Sequence, residues 1–288
     1  MFGQPGEKRR RLTVHTLSHD RERALTATGD ELAALLHHHA ADVLLALLDN
    51  PALHETQLCL LLDRKDLPAG ILEEVARRKP LLKSYRVKVA LAFHPHTPRL
   101  ASLVLIRKLH LMDLVQLTLL PGIPAELKRN AEDQLTTRLP QLPLGQKVAL
   151  ARRGSARVAG ALLAEGHAQV LSVVLDNAFL TEAQVLKVLS REKLSPDVIR
   201  AITQHRRWSC VYNIRLALVR HPNSTLSSVL AYLPELTVSD LRELTAPGIA
   251  SESLRQYLLA EIHRRTRACR KSPQMDEPRD TPGASKAD

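Results

Sequence analysis

Cysteine, glycine, aromatic side chains and long apolar runs are all scarce in this chain of 288 residues. Three cysteines, Cys59, Cys210 and Cys269, are too few and too scattered for a disulfide framework, and no C-x-x-C pair occurs. A disulfide-stapled secreted fold is therefore excluded, and reduced thiols are expected. Eight aromatic residues and 11 glycines argue against sandwiches and barrels, which need β-branched and aromatic faces joined by glycine-rich turns. No stretch of about 18 apolar residues is present, and the start, Met1 to Leu17, is polar and basic, so a soluble, cytoplasmic protein with no membrane span is expected.

What the chain does have is basic charge, with 41 Lys and Arg against 30 Asp and Glu, a net of +11. Residues 1–25 and 264–288 each carry +3, leaving only +5 on the 238 residues between them. The ends read as a basic N-terminal arm, 1–25, and a disordered basic tail, 264–288. From Lys271 that tail is rich in Pro, Ser and charge with no apolar period.

Between the ends, apolar residues recur at i, i+3 and i+4 in segments of about 8 to 15 residues, the helical period. Punctuation separates them. Thr97-Pro98 and Ser195-Pro196 each read as an N-cap followed by Pro at the first helical position, and Thr181-Glu182-Ala183-Gln184 reads as a capping box. The segments also repeat. Val87–Thr118 aligns with Ile214–Thr245 at a constant offset of 127 residues with ten identities in 32 positions, among them Ala90/Ala217, His94/His221, Pro95/Pro222 and Asp113/Asp240. Weaker copies of the same anchor fall at Asn50-Pro51, Asn177-Ala178 and Arg153-Gly154. His, Asn or Arg there, followed by Pro or a small residue, reads as a helix C-cap, with Asn and His tolerating the left-handed region, and Ala90 and Ala217 read as sites of close helix approach.

Repeats of about 44 residues predict an α-solenoid over residues 26–263. The segments Val89–Pro98 and Leu216–Ser224 resemble the leucine-rich-repeat-variant branch of HEAT-like repeats, in which a hydrophobic helix ends in a similar Asn-Pro-x-Thr-Pro sequence. The resemblance implies an all-α, right-handed α-solenoid of short helices, usually used for binding. The clustered cysteines that hold an N-terminal iron–sulfur cluster in some members have no counterpart here.

Catalytic signatures are absent: no G-x-S-x-G, H-E-x-x-H, Walker or dinucleotide-binding glycine motif occurs. No catalytic, cofactor-binding or metal-ligating residue is assigned. His37-His38-His39 would splay about 100° apart per residue on a helix, which favours a polar face over a metal site, with Asp42 a partner for His38. Candidate contacts to a partner or to nucleic acid are Arg77, Arg78, Arg152, Arg153, Arg206, Arg207 and Trp208. Arginines at helix ends also oppose the helix dipole, and Trp208 reads by default as core or inter-repeat packing, with stacking on a partner or base as the sharper alternative. Cys59, in an apolar helix, reads as inert, and Cys269, among basic residues, as exposed. The expected function is a non-enzymatic scaffold that binds another protein through a curved helical surface. The alternative is a nucleic-acid-binding solenoid, possibly resembling HEAT-like DNA glycosylases, that uses the basic clusters and tails.

Overall fold

In the computed structural model, which describes residues 17–246 and 252–271, every regular element is helical. The first nine α-helices are α1 (17–26), α2 (Gly29–Leu35), α3 (Ala41–Leu47), α4 (Glu55–Asp63), α5 (Ala69–Arg77), α6 (Tyr85–Phe93), α7 (Arg99–Ile106), α8 (Leu111–Leu119) and α9 (Ala125–Arg138). The next nine are α10 (Leu144–Arg153), α11 (Ala156–Glu165), α12 (Ala168–Leu175), α13 (Glu182–Leu189), α14 (Pro196–Gln204), α15 (Tyr212–Arg220), α16 (Leu226–Tyr232), α17 (Val238–Leu244) and α18 (Glu252–Lys271). Each of the second nine begins 127 residues after its counterpart. The offset visible over 87–118 thus governs the whole described chain, which is a tandem duplication of a nine-helix copy.

The helices are short because each ends where its apolar stripe ends. In α14, Ser195 accepts the Asp197 N–H as N-cap, Pro196 opens the first turn, and Val198, Ile199 and Ile202 form the buried stripe. Thr181 likewise caps α13 through the Gln184 N–H. The Thr97 expectation is corrected: Pro98 holds the N-cap position of α7, and the Thr97 hydroxyl donates instead to the Leu91 carbonyl at the end of α6. Ser224 does the same to Leu218.

Helices pack on near neighbours in the chain. α3 packs on α5, α4 on α6, α7 on α9, α12 on α14 and α13 on α15, while α8 meets α9 and α17 meets α18. This alternation of next and next-but-one neighbours is the local order of a stacked helical repeat. By internal packing the chain divides into two compact units, Met1–Leu162 with Asp176–Leu180, and Leu163–Leu175 with Thr181–Asp288, where a single repeat domain over 26–263 is expected from sequence. The first unit buries Val43, Leu44, Leu47, Leu61, Leu72 and Leu91, and the second has a cluster of Val219, Val229, Leu233, Leu241, Leu244 and Leu258.

Two boundaries move. Residues 17–25 belong to α1, where Ala24 is fully buried and Arg23 pairs with Glu31, so the expected arm loses its C-terminal third to the fold. At the other end α18 runs through Arg264 and Arg265 to Lys271 because Arg265 donates to the carbonyls of Leu236 and Leu233 and pairs with Glu261. The rest of the expected tail, with the side chain of Cys269, lies outside the described residues.

Candidate binding groove

Four of the five repeated anchor residues, Asn50, His94, Asn177 and His221, are buried bolts, and their geometry separates what holds the fold from what is free to bind. Arg153 is exposed, a correction to its reading as a copy of the anchor. Asn50 donates from Nδ2 to the carbonyls of Ala24 and Ala27 at 2.8 and 2.9 Å and accepts the Ala52 N–H at 2.7 Å. Asn177 repeats this with Ala151, Gly154 and Phe179. His94 Nε2 meets the Arg64 carbonyl at 2.7 Å while Nδ1 accepts the His96 N–H, and His221 repeats the pair with Arg191 and Asn223. Each bolt satisfies the carbonyls at the end of an earlier helix, which would otherwise be buried unpaired. The neutral Nε2–H tautomer fits both histidines, and burial, with Lys65 and His96 nearby, holds the His94 imidazole below its ordinary value. The left-handed backbone expected at these caps is corrected: His94 and His221 are extended, with φ of −79° and −78°, because the side chain rather than the backbone does the capping.

A second repeated device resembles an acid–base pair. The Tyr85 hydroxyl donates to Asp113 and accepts the His110 N–H at the start of α8, with the Tyr85 and His110 rings stacked 3.9 Å apart. Burial and the Asp113 carboxylate raise the Tyr85 pKa. Tyr212, Asp240 and the Thr237 N–H reproduce the arrangement at the start of α17. Its recurrence at both helix starts assigns it to capping.

With bolts and caps set aside, the first unit has a groove along α4, α6, α8 and α10, apart from a separate polar cavity of about 440 Å³ among Arg21, Asp42, Asp49, Glu74 and Arg78. A cavity of about 670 Å³ is walled by Asp63 at the end of α4 and Lys65 just after it, by Tyr85, Val89 and Phe93 of α6, and by Gln116 of α8. A second cavity, of about 440 Å³, continues it past Gln116, Leu120 and Pro121 to Arg152, Arg153 and Phe179. Ala90 lies in the first floor and Ala217 in that of the equivalent cavity of about 380 Å³ in the second unit. Their short side chains leave space here, while α4 packs on α6 and α13 on α15.

The two copies differ where they face these cavities. Asp63, Lys65, Arg86, Phe93 and Gln116 correspond to Ser190, Glu192, Asn213, Arg220 and Glu243. Arg220 pairs with Glu243 at 2.6 Å. On α8, Met112 and Leu119 are exposed, whereas their counterparts are Ser239 and Ala246.

The candidate residues sort into three fates. Trp208 is 2% exposed and donates from Nε1 to the Leu175 carbonyl at 2.8 Å, with Arg207 4.3 Å above its ring. It is a core residue and cannot stack on a ligand, a correction to that expectation. The carbonyl it satisfies is the counterpart of Leu48, which Arg78 satisfies in the first copy at 2.7 Å. Arg78 is thereby structural, held also by Glu74 and Asp49, and burial, which opposes its charge, is outweighed by these partners, so its pKa rises. Arg77 pairs with Glu74. Arg206 and Arg207 are exposed in the second unit. Arg152 and Arg153 are exposed in the groove, and neither side chain is held by a described residue. Of the candidates that no described residue holds, Arg152 and Arg153 share a cavity with an apolar surface.

The histidine run lies on the turn after α2 rather than on a helix. His38 Nδ1 accepts the Ala40 N–H, its Nε2 is 3.8 Å from Asp20, not Asp42, and His39 is 4.0 Å from Asp66. Among the described residues no group of three His, Cys, Asp or Glu is placed to hold a metal ion. Cys59 is half-buried, and burial together with Glu55 and Asp63 raises its pKa, so its thiol stays protonated.

No family model, curated protein or solved structure matches the chain. Among the described residues no helix is long and apolar enough to cross a membrane. Sequence reasoning missed Met112, Leu119 and Phe179 as groove residues, since in a helical stripe an exposed apolar residue has the same spacing as a buried one. The departure of the second copy at positions 112 and 119 is the signal that marks two of them.

Proposed function

We propose that the chain is a non-enzymatic helical-repeat scaffold, of the leucine-rich-repeat-variant kind its sequence resembles, that binds another protein along the groove of the first unit. One observation carries this reading. Phe179, 48% exposed, shares a cavity with exposed Met112 and Leu119 and with two unheld arginines, while bolts and caps account for the other conspicuous polar residues. An exposed apolar cluster rimmed by polar groups is the composition of a protein-binding surface. The nucleic-acid reading has less support, because Trp208 is buried and Arg78 is committed to the fold.

The test is site-specific photocrosslinking in the source cells, with benzoylphenylalanine placed at Phe179 or Met112 and, as a control, at the exposed Leu226. Protein adducts at the two groove positions and not at the control are expected. Nucleic-acid adducts, or no adduct above the control, would overturn the reading.

A further inference from the structure

We infer that the occupant of the α8–α10 end of the groove is an acidic, amphipathic peptide segment of the partner. Its bulky apolar side chains would lie on Met112, Leu119 and Phe179, and its carboxylates on Arg152 and Arg153. The inference rests on the protein-binding reading above and adds the chemistry of the partner. Charge complementarity carries it. Arg64, Arg78, Arg138 and Arg265 donate to backbone carbonyls, and Arg99, Arg157 and Arg220 to carboxylates. Arg107, Arg129 and Arg206 also lack a described anion, but Arg152 and Arg153 are an adjacent pair in the last turn of α10 that lines an apolar cavity and that the described residues leave without an anion. A guanidinium accepts a carboxylate through two parallel hydrogen bonds, so two adjacent guanidinium groups at the lip of an apolar cavity select an anion attached to an apolar body.

A polyphosphate backbone fits less well. The floor at this end is Met112, Val115 and Leu119 rather than a run of basic groups, and the adjoining cavity sets Asp63 and Asp113 against Lys65 and Arg86. A phosphate chain laid along the groove would therefore meet no continuous basic track, whereas a short segment needs only the two arginines at its end. The copy comparison agrees. At the positions equivalent to Met112, Val115 and Gln116 the second copy carries Ser239, Arg242 and Glu243, so the apolar lip is particular to the first unit.

The experiment uses the full chain and a displayed library of random 16-residue peptides, selected on the native protein and counter-selected on a variant carrying Arg152→Glu, Arg153→Glu and Phe179→Ser. All three side chains are solvent-exposed, and an unchanged urea unfolding curve checks that the variant is folded. Peptides that depend on the groove should be enriched in Asp and Glu next to Leu, Phe or Trp. As labelled synthetic peptides they should bind at least tenfold more weakly to the arginine double variant than to the native chain, with the difference shrinking as salt rises. Groove-dependent peptides without acidic enrichment would overturn the inference and leave the protein-binding reading standing. Recovery of no groove-dependent peptide would overturn both, as would tight, groove-dependent binding of labelled single-stranded RNA or duplex DNA at physiological salt.

Discussion

The two nine-helix copies are each other's control. Where they agree in a polar residue of the anchors and caps, that residue is bonded and at least partly buried: Asn50 and Asn177, His94 and His221, Tyr85 and Tyr212, Arg138 and Arg265 each make the same contact to the same equivalent group. Where they differ, the residue faces open space, as with Phe93 against Arg220 or Met112 against Ser239. One class of difference falls inside the core. Ser102 is 1% exposed and its hydroxyl has no hydrogen-bond partner, while its counterpart Val229 belongs to the apolar cluster of the second unit. The comparison teaches that in a duplicated helical chain the recurring polar residues are structural, and the divergent ones outside the core mark candidates for function.

The largest expected effect breaks a bolt. Asn177→Ala strips two buried carbonyls of their donor and the Phe179 N–H of its acceptor, and should cost about 2 to 4 kcal/mol in urea unfolding. Asn50→Ala should match it within about 1 kcal/mol if the two sites are equivalent. A near-zero cost at one site alone would end the claim that the copies are held alike.

The histidine bolts come next. His94→Ala should cost about 2 kcal/mol, and His94→Asn, which restores a donor and an acceptor of the kind used at 50 and 177, less than half of that. The native chain also carries a pH signature. Burial lowers the folded-state pKa of His94, so between that value and about 6.5 the unfolded chain holds more protons than the folded one. The stability His94 contributes is complete above about pH 6.5 and declines as pH falls through that window. Removing the titrating group in His94→Asn should flatten this part of the acid limb, and an unchanged slope would show that the imidazole is not buried neutral.

Exchanging the core difference gives effects of opposite sign. Ser102→Ala should stabilise by about 1 kcal/mol, since it removes an unsatisfied buried hydroxyl. Val229→Ser should destabilise by about 2 kcal/mol through lost apolar burial and a new buried hydroxyl. Thermal melts read both, and destabilisation by Ser102→Ala would show that the hydroxyl has a role in the fold.

The smallest effect tests the caps. Tyr85→Phe and Tyr212→Phe should each cost about 1 kcal/mol, and by the same amount, because each removes one hydroxyl bridging a helix-start N–H and a carboxylate. A loss confined to Tyr85 would reopen its pair with Asp113 as something other than a cap.

Helix content and the repeat were legible in the sequence, as was the duplication over 87–118, because apolar spacing and cap residues are local signals. The N-cap at Ser195 was legible for the same reason. The role of Thr97 was not, since Thr before Pro reads as an N-cap until the Leu91 carbonyl is seen within reach. Trp208 and Arg78 illustrate the same limit. Tryptophan and arginine are the residues that bind ligands at surfaces, and only the position of the carbonyls of Leu175 and Leu48, 33 and 30 residues away, shows both turned inward.

The groove was the least legible feature, because a cavity is a property of residues that fail to touch. The sequence by itself determined that the chain forms short amphipathic helices, ends them at polar anchors and repeats the pattern, since the helical period and capping act within a few residues. Tertiary structure alone decided which anchors are buried, which arginines are committed to carbonyls and which are left open. Those outcomes depend on what a helix two positions earlier presents, and that separation carries no periodic trace in the chain.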